Sequence, residues 1–126
     1  MEKPQQRNER FHRNVLRLEK RDVISHDGEG YIKFVRPFTE DDFDTDINFI
    51  DYVEIPPRAS IGLHEHGDNE EIYFIVSGHG TMTVNDEQIA VSKGDLIVNR
   101  RGWTHGLANT SNEILKVLVW ETGYSG

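Results

Sequence analysis

The sequence contains no cysteine. This excludes a thiolate nucleophile, a cysteine-ligated zinc site and an iron–sulfur cluster, and it removes the main sign of a secreted disulfide-rich scaffold. No apolar run approaches the roughly 20 residues that a membrane-spanning helix needs, and the N-terminus has no apolar stretch typical of a signal peptide. We therefore expect a soluble, cytoplasmic protein without a membrane partner.

Basic residues are fewer than acidic residues, with 14 Lys and Arg against 22 Asp and Glu, which gives a net charge of −8. This balance argues against nucleic acid as a partner, because phosphate binding needs a basic face. The charge is uneven, since residues 1–22 carry seven basic and four acidic side chains. Such a basic segment can contact its own acidic domain or a second copy, or it can be a solvated terminus.

After residue 30 the chain lacks helical periodicity, and short β-branched and aromatic runs alternate with turn residues. This pattern predicts an all-β sandwich or barrel of one domain. The first thirty residues are ambiguous between helix and strand. We therefore divide the chain into an N-terminal arm, 1–30, and a β-barrel domain, 31–126. The predicted strands are 31–38, 47–55, 61–66, 71–76, 80–84, 88–91, 95–98, 103–107 and 114–120.

The clearest chemical signal is a group of histidines and glutamates. Residues i and i+2 of a strand face the same side about 6–7 Å apart, so His64 and His66 can both reach one ion at about 2.1 Å. A turn after His66 brings back a strand that can supply a carboxylate. Glu70 and Glu71 compete for this role because adjacent strand residues face opposite sides. His105 can supply a fourth ligand from a distant strand.

The stretch 58–109 resembles the two signature motifs of the cupin superfamily. The first motif runs Gly, five residues, His-x-His, three or four residues, Glu, six residues, Gly. The second runs Gly, five residues, Pro-x-Gly, two residues, His, three residues, Asn. Arg58 replaces the opening Gly and Arg100 replaces the Pro, and both departures fall at turns. The matching positions are His64, His66, Glu71, Gly78, Gly94, Gly102, His105 and Asn109.

The resemblance implies a double-stranded β-helix, or jelly-roll barrel, that holds one divalent metal ion. The motif spacing selects Glu71 over Glu70 as the carboxylate ligand. Three imidazoles and one carboxylate suit Mn, Fe, Ni, Zn, Co or Cu. Resemblance to the small single-domain cupins also implies a homodimer. The implied metal ligands are His64, His66, Glu71 and His105.

Two aromatic residues lie near the implied ligands. Tyr73 shares a strand face with Glu71, so it is a candidate catalytic residue, as a proton donor or substrate contact, with a packed core aromatic as the alternative. Trp103 precedes His105 by two residues and can lie at the mouth of the cavity or pack at its rim.

The remaining charged candidates are weaker. Four arginines can bind an anionic substrate through paired hydrogen bonds or can form surface ion pairs. Three histidines are expected at the surface, outside the site. The arginines are Arg36, Arg58, Arg100 and Arg101, and the histidines are His12, His26 and His79.

Two functions of different classes follow. The first is a metal-dependent isomerase, lyase or dioxygenase that acts on a small polar metabolite such as a sugar derivative or an organic acid. The second is a non-catalytic cupin that binds or senses a small ligand. The sequence contains no Ser-His-Asp order, phosphate-binding glycine loop or dinucleotide fingerprint, so the expected chemistry is metal chemistry or none.

Overall fold

The described part of the chain, residues 10–123 of a computed structural model, forms two antiparallel β-sheets. Within this range there is no α-helix, and the one helical turn is a 3-10 segment at Glu40–Asp42. The prediction of an all-β jelly roll is therefore confirmed. No helix among these residues is long and apolar enough to cross a membrane.

Ten strands are present in the described residues. The six-stranded sheet has the order β1-β2-β3-β10-β5-β8, and the four-stranded sheet has the order β4-β9-β6-β7. The strands are β1 (Arg21–Val23), β2 (Ile32–Thr39), β3 (Ile47–Ile55), β4 (Ser60–Glu65), β5 (Asn69–Ser77), β6 (His79–Val84), β7 (Glu87–Ser92), β8 (Leu96–Asn99), β9 (Thr104–Ala108) and β10 (Leu115–Gly123).

All nine predicted strands are confirmed, each corresponding to one of β2 to β10, and the bounds of β3 agree at both ends. The structure adds β1 in the ambiguous N-terminal segment, where it pairs antiparallel with β2. The division of the chain at residue 30 stays a prediction. Residues 1–9 of the predicted arm and 124–126 of the predicted domain lie outside the described residues.

The core lies between the two sheets and is filled by alternate residues of their strands. On β5, Tyr73 and Ile75 are buried, whereas Ile72 before them and Phe74 between them are only half-buried. This period of two is the alternation of side chains that a β-strand imposes. Burying each such side chain contributes roughly 1.5–3 kcal/mol. Other apolar residues with almost no exposure are Ile32, Ile55, Met82, Leu107, Leu115 and Val117.

The turn positions of the two cupin motifs include one glycine that the fold requires and the two replaced residues. Gly78 has a φ of 94°, and a Cβ there would lie 2.6 Å from the carbonyl oxygen of Ile114, so a side chain does not fit. Arg58 adopts a left-handed φ of 69°, at a cost of roughly 1–2 kcal/mol. At the second departure, the Trp103 amide donates to the Arg100 carbonyl oxygen at 3.1 Å, which closes the turn without proline.

A turn near the end of the predicted arm packs directly on β4. Ser25 forms a parallel bridge with Ile61, and its carbonyl oxygen accepts a hydrogen bond from the Gly62 amide at 3.0 Å. A Cβ on Gly62 would lie 2.0 Å from the carbonyl oxygen of His26, so glycine is required for this approach. His26 itself has a left-handed φ of 50°. This turn places the His26 ring beside the site.

Candidate metal site

The four implied ligands come together from three strands. His64 lies on β4 opposite His105 of β9, His66 directly follows β4, and Glu71 lies on β5 of the other sheet. Their potential ligand atoms all lie within 4.8 Å of one another. The alternation of β5 separates the two competing carboxylates, because Glu71 is only 6% exposed whereas Glu70 is half-buried and outside the cluster.

The Glu71 carboxylate lies at the centre of the three imidazoles. Its Oε1 is 3.0 Å from Nε2 of His66, 3.1 Å from Nε2 of His105 and 3.9 Å from Nε2 of His64. Two ligands that each lie about 2.1 Å from one ion, at right angles to each other, are separated by about 3.0 Å. The distances from Glu71 to His66 and to His105 therefore match the separation of two neighbouring ligands on one metal ion.

Hydrogen bonds on the far side of two rings fix which nitrogen faces the cluster. His64 Nδ1 donates to the Gly62 carbonyl oxygen at 2.8 Å, and His66 Nδ1 donates to Oδ1 of Asn69 at 2.6 Å. In both neutral rings Nε2 then carries the lone pair. Among the described residues neither Nε2 has a hydrogen-bond partner, although both are buried. Buried nitrogens of this kind, aimed at a carboxylate, fit a metal ion.

The electrostatics of the cluster keep the carboxylate ionised. Burial opposes ionisation of Glu71, but the adjacent rings of His105, His64 and His66 outweigh burial and hold its pKa well below the usual range. Burial lowers the pKa of His105, which favours the neutral ring that a metal ligand requires. The adjacent Glu71 carboxylate raises the pKa of His66, so a proton competes with a metal at that ring.

A cavity of about 240 Å³ opens beside His66 and Glu71. The cavity is also lined by Arg36, whose guanidinium donates to both carboxylate oxygens of Asp51, at 2.7 and 3.1 Å. Glu121 also lines the cavity, and its Oε2 accepts a hydrogen bond from the side-chain amide of Asn48 at 2.9 Å. Burial raises the pKa of both Asp51 and Glu121.

The cavity also contains a residue that sequence reasoning placed outside the site. His26 is exposed, as predicted, but its ring stacks on His64 with centroids 3.5 Å apart and planes inclined by 9°. Glu121 was not singled out from the sequence, although its Oε1 lies 3.8 Å from Nδ1 of His66. Its position opposite Glu71 in the ladder between β10 and β5 is a contact between strands far apart in sequence, which spacing does not reveal.

The other predicted residues divide between the cavity and the surface. Tyr73 lines the cavity, is 2% exposed, and its ring packs edge-on against His105 with centroids 5.3 Å apart. Burial raises the pKa of Tyr73 well above its usual value, so its hydroxyl stays protonated. Trp103 lies instead at a separate surface depression beside Arg100. His12 and His79 are exposed, as expected.

The fold and the site together define a cupin, because a two-sheet jelly roll brings three histidines and one glutamate into a single buried cluster. Residues 51–121 match the family model described as Cupin domain. The chain therefore belongs to the cupin family.

Known proteins resemble this chain in both sequence and fold. The oxalate-binding protein of Thermotoga maritima is 28% identical over 92 residues, 73% of this chain and 76% of that protein. An uncharacterized protein of Methanocaldococcus jannaschii is 39% identical over 64 residues, 51% of each chain. The crystal structure of a predicted oxalate decarboxylase from Thermotoga maritima has a TM-score of 0.87 at 22% identity, covering 90% of this chain and 100% of that one.

Proposed function

We propose that this cupin binds one divalent transition-metal ion through His64, His66, Glu71 and His105 and uses it as an enzyme on a small polar metabolite. The observation that carries the proposal is the convergence of three imidazole nitrogens on one buried carboxylate oxygen, two of them at 3.0 and 3.1 Å.

A bound ion would supply Lewis acidity toward an oxygen of the substrate. Two nearby groups would have different roles: Tyr73 faces the cavity, and Asn69 contacts the ligand ring of His66. Tyr73 keeps its proton at neutral pH, so it is suited to donate a hydrogen bond to a substrate, and its raised pKa disfavours a role as a base or as a proton donor. The hydrogen bond from His66 to Asn69 holds a ligand ring in one orientation.

The cavity supports a small ligand. Its volume of about 240 Å³ lies just below the range typical of small-molecule sites, and apolar side chains share its wall with a few polar groups. The printed name of the relative from Thermotoga maritima, an oxalate-binding protein, supports a small ligand and also favours the second function, a cupin that binds a metabolite without transforming it.

Elemental analysis of protein purified without an affinity tag or chelator tests the metal proposal, with His105→Ala as the control. We expect about one equivalent of metal in the wild type and none in the variant, with thermal unfolding used to check that the variant is folded. Iron would direct the search to oxygen-consumption assays, and manganese, nickel or zinc to isomerase and lyase screens. If the protein bound no metal under any reconstitution condition, the proposal of a metal-dependent enzyme would be contradicted and the non-catalytic binding protein would be favoured.

The homodimer and the cytoplasmic location stay predictions. The face of β8 opposite the core supports a homodimer, because Leu96 and Val98 are 63% and 50% exposed on it. Sedimentation velocity of the wild type and of Leu96→Asp tests this surface. We expect a dimer that the aspartate dissociates, and a wild-type monomer would refute the prediction.

A further inference from the structure

We propose that the ligand of this cavity is an uncharged, hydroxyl-bearing molecule with an apolar flank, and not a dianionic dicarboxylate. The inference rests on the proposed function, in that the cluster is taken to hold a divalent ion. The class of ligand is narrowed by the charged and apolar side chains that line the cavity together with the cluster.

Two carboxylates besides Glu71 line the cavity, and the sheet places both on its inner face. Glu121 of β10 pairs with Glu71 of β5, and in the next inward-facing row Val119 of β10 lies between Asp51 of β3 and Tyr73 of β5. Glu121 therefore lies in the same row of the sheet as Glu71, and Asp51 lies in the next inward-facing row. An incoming anion would meet them together with the metal.

Arg36 is the one Lys or Arg that lines the cavity among residues 10–123, and it is already engaged. Asp51 binds it through both carboxylate oxygens, and the guanidinium lies 3.9 Å from the ring centroid of Phe49. Asp51 is only 6% exposed. If Arg36 turned toward a ligand, this carboxylate would be left buried and unpaired, which is unfavourable. The arginine is therefore not available as a clamp for an anion.

The charges of the loaded cavity balance without a ligand. A divalent ion and one guanidinium offset the carboxylates of Asp51, Glu71 and Glu121. A dianion would add two negative charges to a wall that already presents carboxylates. Hydroxyl groups, in contrast, can donate hydrogen bonds to the same oxygens.

The rest of the wall favours a ligand with an apolar side. The cavity is also lined by Ile32, Phe34, Phe49, Val53, Ile61 and Val119. These side chains offer no hydrogen bonds, so a small, fully hydrated anion would lose its water shell there without compensation. An uncharged diol or phenol matches both parts of the wall.

Ligand binding to the zinc-loaded protein tests the inference, with oxalate and catechol as probes. Calorimetric titrations compare the wild type with Asp51→Asn and with the matched control Asp86→Asn, which makes the same charge change in the β6–β7 turn. We expect Asp51→Asn to bind oxalate at least about tenfold more tightly, because it removes a carboxylate and frees Arg36, without tighter binding of catechol. Asp86→Asn should change neither affinity by more than about twofold.

The inference would be overturned if Asp51→Asn raised the affinity for oxalate by less than this, or if it raised the affinity for catechol equally. If Asp51→Asn does not fold or load zinc, Glu121→Gln replaces it with the same expected result, since it removes the second carboxylate and leaves Arg36 paired. Zinc content is measured before each titration. Failure of the wild type to load zinc would therefore count against the proposed metal site, separately from the ligand class.

Discussion

Replacing Glu71 by glutamine changes one oxygen to an amide nitrogen at the centre of the cluster and removes the negative charge. Glu70→Gln is the matched control, because it makes the same change one residue earlier, at a half-buried side chain outside the cluster. Only the first variant alters a group that lies within 3.9 Å of all three imidazole Nε2 atoms.

The expected magnitude follows from how a four-ligand site divides its binding energy. Four-ligand structural zinc sites contribute about 10–16 kcal/mol, so one ligand contributes about 3–4 kcal/mol on average. This corresponds to a loss of about 10²–10³-fold in metal affinity for Glu71→Gln. Glu70→Gln should change the affinity by less than about threefold, since it removes only a distant, partly screened charge.

Competition with a chromophoric chelator measures both affinities for cobalt or zinc over this range. Thermal unfolding of the metal-free proteins verifies that both variants are folded. A Glu71→Gln variant that keeps the wild-type affinity would refute the proposed ligand set. A larger loss in Glu70→Gln than in Glu71→Gln would show that the motif spacing selects the wrong carboxylate.

Three further predictions concern the surroundings of the site and the turns. Asn69→Ala removes the 2.6 Å hydrogen bond that orients His66, and it should weaken metal binding about 10–100-fold by the same chelator assay; an unchanged affinity would contradict this role. Arg58 has a left-handed φ of 69°, which glycine adopts without strain, so Arg58→Gly should raise the free energy of unfolding by about 0.5–1 kcal/mol. The control Arg101→Gly is at a position without a positive φ and should lower the free energy of unfolding by a similar amount. Urea unfolding that ranks the two variants in the opposite order would refute the argument. In the metal-free protein, the depressed pKa of Glu71 contributes stability that is present above the unfolded-state pKa of about 4.3 and is lost as the pH falls below it. The free energy of unfolding of Glu71→Gln should therefore depend less steeply on pH below about 4.3 than that of the wild type. Parallel plots of unfolding free energy against pH for the two proteins would exclude the effect.

The strands were predictable because their signals are local. Short β-branched and aromatic runs bounded by turn residues locate β2 to β10, and the predicted bounds of β3 agree with the structure at both ends. The ligand cluster was predictable from the resemblance because the motif records a spacing between strands that the fold brings together. Spacing along one strand alone left Glu70 and Glu71 as alternatives.

The contacts that the sequence did not reveal all join distant segments. Glu121 reaches the site only because β10 pairs with β5, and His26 reaches it only because the turn at Ser25 packs on Gly62. Neither contact produces a periodic pattern in the sequence. The left-handed conformation of Arg58 was not predicted for a different, local reason, because the residue type there disfavours the φ that the turn imposes.

The four implied ligands are divided between the two sheets. His64 and His105 belong to the four-stranded sheet and Glu71 to the six-stranded sheet, so an ion held among them would tie the two layers together across the open end of the barrel. By mass action, a free ion concentration of 100 times its dissociation constant adds about 2.7 kcal/mol to the free energy of unfolding. Amide hydrogen exchange in β4 and β5 would slow together on loading, so these two strands would report the fractional occupancy of the site even when no substrate is known.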